Sequence, residues 1–214
     1  MINIKPSLST KLYGMRKKIE EIFILYNKEL LPNKILLSGK NGLGKSTMAY
    51  HIINYILSAN EECKYDQTHL KINEDNRSFK LVKTNSHPNF YLIDLIDEKK
   101  TIDIAQIREM ISYNNKSSFD GQPRFVLIDN IANLNKNSVN ALLKILEEPP
   151  KNTYFILIHN SERNIISTLK SRCLLFKINY SFNRSIEICN SIIGQDILDL
   201  INHDLINFYN THRI

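Results

Sequence analysis

The stretch Lys34-Ile35-Leu36-Leu37-Ser38-Gly39-Lys40-Asn41-Gly42-Leu43-Gly44-Lys45-Ser46-Thr47 decides how this chain is read. Its opening residues, Lys34 to Ser38, form a short apolar run bounded by turn formers, which predicts a strand buried on both faces. Three of the chain's six glycines fall between Gly39 and Gly44, and Gly39 to Ser46 fits the pattern G-x-x-x-x-G-K-[ST]. From Thr47 to Leu57 apolar residues recur at Ala49, Ile52, Ile53 and Ile56, a helical spacing. A strand, a glycine-rich loop and a helix in this order aim backbone N–H groups at phosphate oxygens, and the positive end of the helix dipole adds to the attraction. Gly39, Lys40, Asn41, Gly42, Leu43, Gly44, Lys45, Ser46 and Thr47 are therefore candidate ATP-binding residues. In such a loop the lysine reaches the β- and γ-phosphates and the Ser46 hydroxyl ligates Mg²⁺.

Working outward, Gly14 to Leu31 places Ile19, Ile22, Phe23, Tyr26 and Leu30 on one helical face, and Leu31-Pro32-Asn33 stops it. Ser58 to Asn76 is polar and without a period, so it reads as loop. Beyond it come a strand at 90–95, a helix at 103–113, a strand at 124–129, a helix at 137–147 stopped by Pro149-Pro150, and strands at 154–158 and 174–177. Strands alternating with helices predict an α/β domain of three layers around a parallel five-stranded sheet. After Asn179 the pattern is only helical, so residues 1–178 are expected to form the nucleotide-binding domain and 179–214 the start of a small helical lid.

A phosphate-binding loop needs an acid at the end of a neighbouring strand to hold the metal. Asp129 closes Arg124-Phe125-Val126-Leu127-Ile128-Asp129 in that way and is the second Mg²⁺ candidate beside Ser46. Many ATPases of this kind place Glu next, to orient the attacking water, whereas this chain has Asn130. Asparagine hydrogen-bonds a water but takes no proton from it, so intrinsic hydrolysis is expected to be weak or absent.

Composition excludes other classes. Lys and Arg exceed Asp and Glu by 28 to 22, and the first 60 residues alone, with nine basic and three acidic side chains, carry a surplus equal to the whole. No helix-turn-helix, zinc-finger or RRM signature accompanies this charge, which by itself gives only salt-sensitive contact with nucleic acid. Cys63, Cys173 and Cys189 are widely spaced, with no C-x-x-C pair, and read as reduced structural thiols. Apolar runs such as Ile22–Leu25 are too short to cross a bilayer. The stretch Met1–Pro6 has no apolar core followed by a small-residue cleavage site, so a cytoplasmic protein with no membrane partner is expected.

With these residues in hand, the chain resembles the clamp-loader branch of the AAA+ ATPases, most closely the delta-prime subunits of bacterial DNA polymerase III. The signature is Phe125–Asn130 (FVLIDN), Asn140–Pro150 (NALLKILEEPP), the strand TYFILI at 153–158, and Leu169–Phe176 (LKSRCLLF). The upstream LLPNKILLSGKNGLGKST and Ser86-His87-Pro88-Asn89 extend the likeness over roughly residues 12 to 180. The resemblance implies that Arg172, within Ser171-Arg172-Cys173, projects into the ATP site of a neighbouring subunit, a role suited to a planar, always-charged guanidinium. It also implies a polar sensor at the end of the fourth strand, for which Asn160 is the candidate. A lid-domain arginine could be Arg184 or Arg213, and nothing in the sequence favours either.

Many relatives carry a four-cysteine zinc module between the loop and the acid. Here only Cys63 lies in that interval, so no zinc is expected. Family members usually continue into a helical collar, whereas this sequence ends at Ile214. The implied function is that of a hetero-oligomeric clamp-loader component, assembling with the ATPase subunit and delta and meeting the sliding clamp and primed DNA through the complex. Two other readings stand beside it: an autonomous P-loop ATPase or kinase, and a scaffold whose loop is vestigial.

Overall fold

The computed structural model describes residues 5–96, 99–115 and 121–193. Five strands, β1 (Lys34–Gly39), β2 (Phe90–Ile93), β3 (Arg124–Ile128), β4 (Thr153–Asn160) and β5 (Leu174–Lys177), form one sheet in the order β2-β3-β4-β1-β5. All four pairings are parallel. This is the three-layer α/β fold around a parallel five-stranded sheet that the alternation of elements implies.

Period-two alternation sorts the strand residues onto two cores. Ile35, Leu37, Phe125, Leu127, Ile156 and Ile158 face one side, against α1 (Arg16–Asn27) and α2 (Lys45–Leu57), which contribute Ile19, Ile22, Phe23, Met48, Ile52 and Ile53. Leu36, Val126, Ile128, Phe155 and Leu157 face the other, against α4 (Ile104–Asn114) and α5 (Lys136–Glu147) through Ile107, Met110, Val139, Leu142 and Leu146. Each such side chain contributes roughly 1.5–3 kcal/mol by leaving water. Two shorter helices, α3 (Arg77–Val82) and α6 (Ser167–Lys170), sit in connections, and α7 (Phe182–Ile193) follows the last strand.

The sequence periodicity overshoots at α1. The helix ends at Asn27 because Glu29 turns left-handed (φ 57), the Glu29 N–H donating to the Tyr26 carbonyl and that of Leu30 to the Leu25 carbonyl. That closing turn carries Leu30 off the apolar face, and it is 64% exposed rather than buried. In the opposite sense β4 runs two residues past Ile158, so that Asn160 pairs with Gly39. The start of α4 is fixed by Asp103, whose carboxylate accepts from the Ala105 and Gln106 N–H groups while Gln106 reaches back to the Asp103 N–H.

Candidate functional site

Because the strands are parallel, the C-terminal ends of β1, β3 and β4 lie side by side, and the candidate residues converge there. Gly42 and Gly44 hold φ of +77° and +76°, the left-handed region that lets the loop curl between β1 and α2. At Gly39 the requirement is closeness: a Cβ would run into the carbonyl of Ile178. Lys45 is only 5% exposed, and its ammonium donates to the Lys40 carbonyl at 2.6 Å, closing the loop on itself. Burial lowers the Lys45 pKa from the ordinary lysine value, against the opposing pull of Asp129 and Glu162.

Ser46 Oγ donates to Asp129 Oδ2 at 2.6 Å, so the two residues expected to hold Mg²⁺ touch directly. Burial raises the Asp129 carboxyl above its usual range and the Asp94 charge adds to this, while Ser46, the Asn130 N–H and Lys45 oppose it. A desolvated carboxylate, a hydroxyl and a lysine beside a glycine cradle form a donor set that suits a hard divalent cation and a phosphate chain. The residues present fit ATP and Mg²⁺. Among the described residues, no group of three or more His, Cys, Asp or Glu side chains is placed to hold a metal ion.

Asp94 is a site residue that the sequence reading missed. It follows β2, Ile93 pairs with Ile128, and the two strand-ending carboxylates therefore stand next to one another. The repeated ending, Phe90-Tyr91-Leu92-Ile93-Asp94 against Phe125-Val126-Leu127-Ile128-Asp129, was the signal that could have found it. Asn130 adopts φ 57, which asparagine tolerates well, and its amide donates to Asp94 Oδ1 at 3.0 Å.

Asn160, in register with Gly39, stands beside the first loop residue, and its Oδ1 accepts from the Glu162 N–H. Its neighbour His159 is buried and neutral in character: Nε2 donates to the Arg163 carbonyl, leaving Nδ1 to accept from Ser38 Oγ at 2.9 Å. Burial lowers the His159 pKa, and the Lys45 and Lys170 charges push the same way. A largely apolar cavity of about 210 Å³ adjoins the loop, between Leu43 and Thr47 on one side and Met15, Tyr180 and Ile188 on another.

Arg172 lies elsewhere. It precedes β5, and Leu174 pairs with Ile35 near the start of β1, whereas the phosphate loop follows Gly39 at the other end of that strand. Four strand residues, about 13 Å of rise, separate the two levels. The Arg172 guanidinium is held by the Glu147 carboxylate and the Thr168 carbonyl. Of the lid candidates, Arg184 is exposed and pairs with Glu187 within α7, and Arg213 lies outside the described residues.

The family described as DNA polymerase III, delta subunit, matches residues 15–181, most of the chain. The chain belongs to that family. Among relatives of this delta-subunit family member, a DNA polymerase III subunit delta-prime of Buchnera aphidicola (subsp. Baizongia pistaciae) is 30% identical over 151 residues, covering 68% of the chain and 44% of the relative. The subunit delta-prime of Escherichia coli K12 is 28% identical over 161 residues, covering 75% and 46%. The chain thus spans a little under half the length of these relatives. A solved DNA polymerase III gamma subunit-related protein of Thermotoga maritima superposes with a TM-score of 0.54 at 18% identity, over 78% of this chain and 47% of that one, a likeness of fold alone. Among the described residues no helix is long and apolar enough to cross a membrane.

Proposed function

We propose that the chain acts as a delta-prime-type clamp-loader subunit in DNA replication, binding ATP with Mg²⁺ at its own loop and presenting Arg172 to the ATP site of a neighbouring ATPase subunit. The observation that carries this reading is the position of Arg172 at the end of the sheet opposite to the chain's own loop, where its partly accessible guanidinium pairs with Glu147 and not with any residue of the loop. The asparagine at position 130 supports it from the other side, because no proton acceptor follows Asp129.

In this account the loop from Gly39 to Thr47 and the Lys45 ammonium hold the phosphates, and Ser46 and Asp129 hold the cation. Bound ATP and Mg²⁺ supply a triphosphate and the charge that neutralises it. Asn130, tied to Asp94, orients water without deprotonating it, and Asn160 places an amide near the loop. In this reading residues 1–178 are the nucleotide-binding domain and 179–214 the beginning of a lid, of which 194–214 lie outside the described residues. The partners are the ATPase subunit and delta, with the sliding clamp and primed DNA reached through the hetero-oligomer, in the cytoplasm.

Mixing the chain with the loader's ATPase subunit and delta tests the assignment. Light scattering should report a complex containing all three proteins. A chain that stays separate at micromolar concentrations contradicts it. The intact set of Lys45, Ser46 and Asp129 favours one second reading, an autonomous ATPase or kinase, which predicts ATP turnover by the chain alone.

A further inference from the structure

Two motifs 25 positions apart, Leu146-Glu147-Glu148-Pro149-Pro150 and Ser171-Arg172-Cys173, meet at one corner of the molecule. Arg172 Nη2 donates to Glu147 Oε1 at 2.7 Å, and Nη1 donates to the Thr168 carbonyl at 3.0 Å. Both backbones are fixed from beneath. Leu146 and Leu169, 0% and 1% exposed, sit in the same core, and Lys34 Nζ donates to the Leu146 carbonyl at the end of α5. Proline at 149 prevents α5 from running on.

The second motif divides its labour in the same way. Ser171 Oγ donates to the Thr168 carbonyl, Cys173 packs on the core with its thiol pushed up to about 11 by burial, and Arg172 between them keeps a partly accessible side chain. The ion pair is substantially exposed, with side chains 34% and 53% accessible for Arg172 and Glu147, so it contributes little to folding. What it does is orient. A guanidinium has five N–H donors, and with two engaged the other three remain for an anion.

We propose that Glu147 is the positioning residue for Arg172, holding the guanidinium in one rotamer before a neighbouring subunit's phosphates arrive. The inference rests on the reading of Arg172 as a group that acts on a neighbour's ATP. Ordering a long arginine side chain in advance removes an entropic cost from the encounter and keeps the charge where it develops in the transition state. Glu147 touches neither nucleotide nor metal, and its effect passes entirely through Arg172.

The test is DNA-stimulated ATP hydrolysis by the reconstituted loader containing this full chain as wild type, Glu147→Ala, Glu147→Asp, Arg172→Ala, or the Glu147→Ala and Arg172→Ala pair. Glu147→Ala should remove at least about half of the kcat component that Arg172→Ala removes, with KM unchanged. The double variant should be no slower than Arg172→Ala, and Glu147→Asp should recover part of the loss. The thermal midpoint of the chain serves as the folding control. Full activity of Glu147→Ala in a loader that Arg172→Ala impairs, or losses that multiply in the double variant, overturns the positioning role alone. An unimpaired Arg172→Ala loader overturns the arginine reading itself and the positioning role with it.

Discussion

At the C-terminal ends of β1 and β3, buried Lys45 stands with half-buried Ser46 and Asp129, whereas at the other end of the same sheet Arg172 and Glu147 meet closer to water, with side chains 34% and 53% accessible. Burial at the first end shifts both charged groups toward their neutral forms, the lysine downward and the aspartate upward. The second pair stands in high dielectric, where water screens its attraction. The contrast separates two uses of charge. In the proposed reading, the loop set awaits a ligand that would compensate its desolvation, and the more accessible pair awaits another surface.

The largest break in this contrast comes from Lys45→Ala, which removes the buried lysine of the loop. ATP·Mg²⁺ affinity should fall by roughly 100-fold or more, as expected for losing a charge-assisted phosphate contact, read by calorimetric titration. Entry into the complex should persist, since Arg172 lies at the far end. Unaltered affinity would mean that the loop is not where the nucleotide sits.

Gly14→Ala should come next. Gly14 holds φ +73°, and a Cβ there would run into the Ile188 side chain of α7. A cost of about 1–2 kcal/mol in the left-handed region, or about 2–8 °C in thermal midpoint for a domain of this size, should accompany faster amide exchange across α7. Amide exchange across α7 that is unchanged by the substitution would show that α7 does not depend on this contact.

Asp129→Asn sharpens the comparison through pH. The folded-state pKa of Asp129 is raised, so the protonated form is favoured by folding and the ionised form disfavoured. Its relative contribution to stability is greatest below the ordinary carboxylate pKa of about 4 and is lost as pH rises through the folded value. The asparagine variant should therefore raise the thermal midpoint at neutral pH, the gain shrinking toward pH 4, while Mg²⁺-dependent nucleotide binding is lost. A midpoint that falls at neutral pH would contradict the assigned desolvation. The smallest effect belongs to Glu147→Ala, which should change the stability of the isolated chain by less than about 1 kcal/mol in denaturant unfolding.

Most of the fold was legible because it follows from period and punctuation. The runs at 34–38, 124–129 and 154–158 could only be covered strands, and Pro149-Pro150 marked the end of α5. What escaped depends on contacts distant in sequence. Leu30 fits a helical face and leaves it only because Glu29 turns left-handed. The resemblance makes Asn160 a candidate, but only strand pairing sets it beside Gly39. Asp94 gains meaning only when β2 pairs with β3, and Glu147 only when the corner closes on Arg172. The loop of the candidate site was visible as a motif, while its state was not. No pattern announces that Lys45 donates to the Lys40 carbonyl or that Ser46 already holds Asp129.

The central claim is that this chain binds nucleotide on one end of its sheet and contributes to hydrolysis from the other. Steady-state ATP turnover, measured for the chain alone and after addition of the ATPase subunit, delta and primed DNA, tests it most directly. The account predicts no turnover above background by the chain alone, and turnover by the mixture that drops when the chain carries Arg172→Ala. Turnover by the isolated chain at the rate of the mixture, or a mixture indifferent to Arg172→Ala, would contradict it.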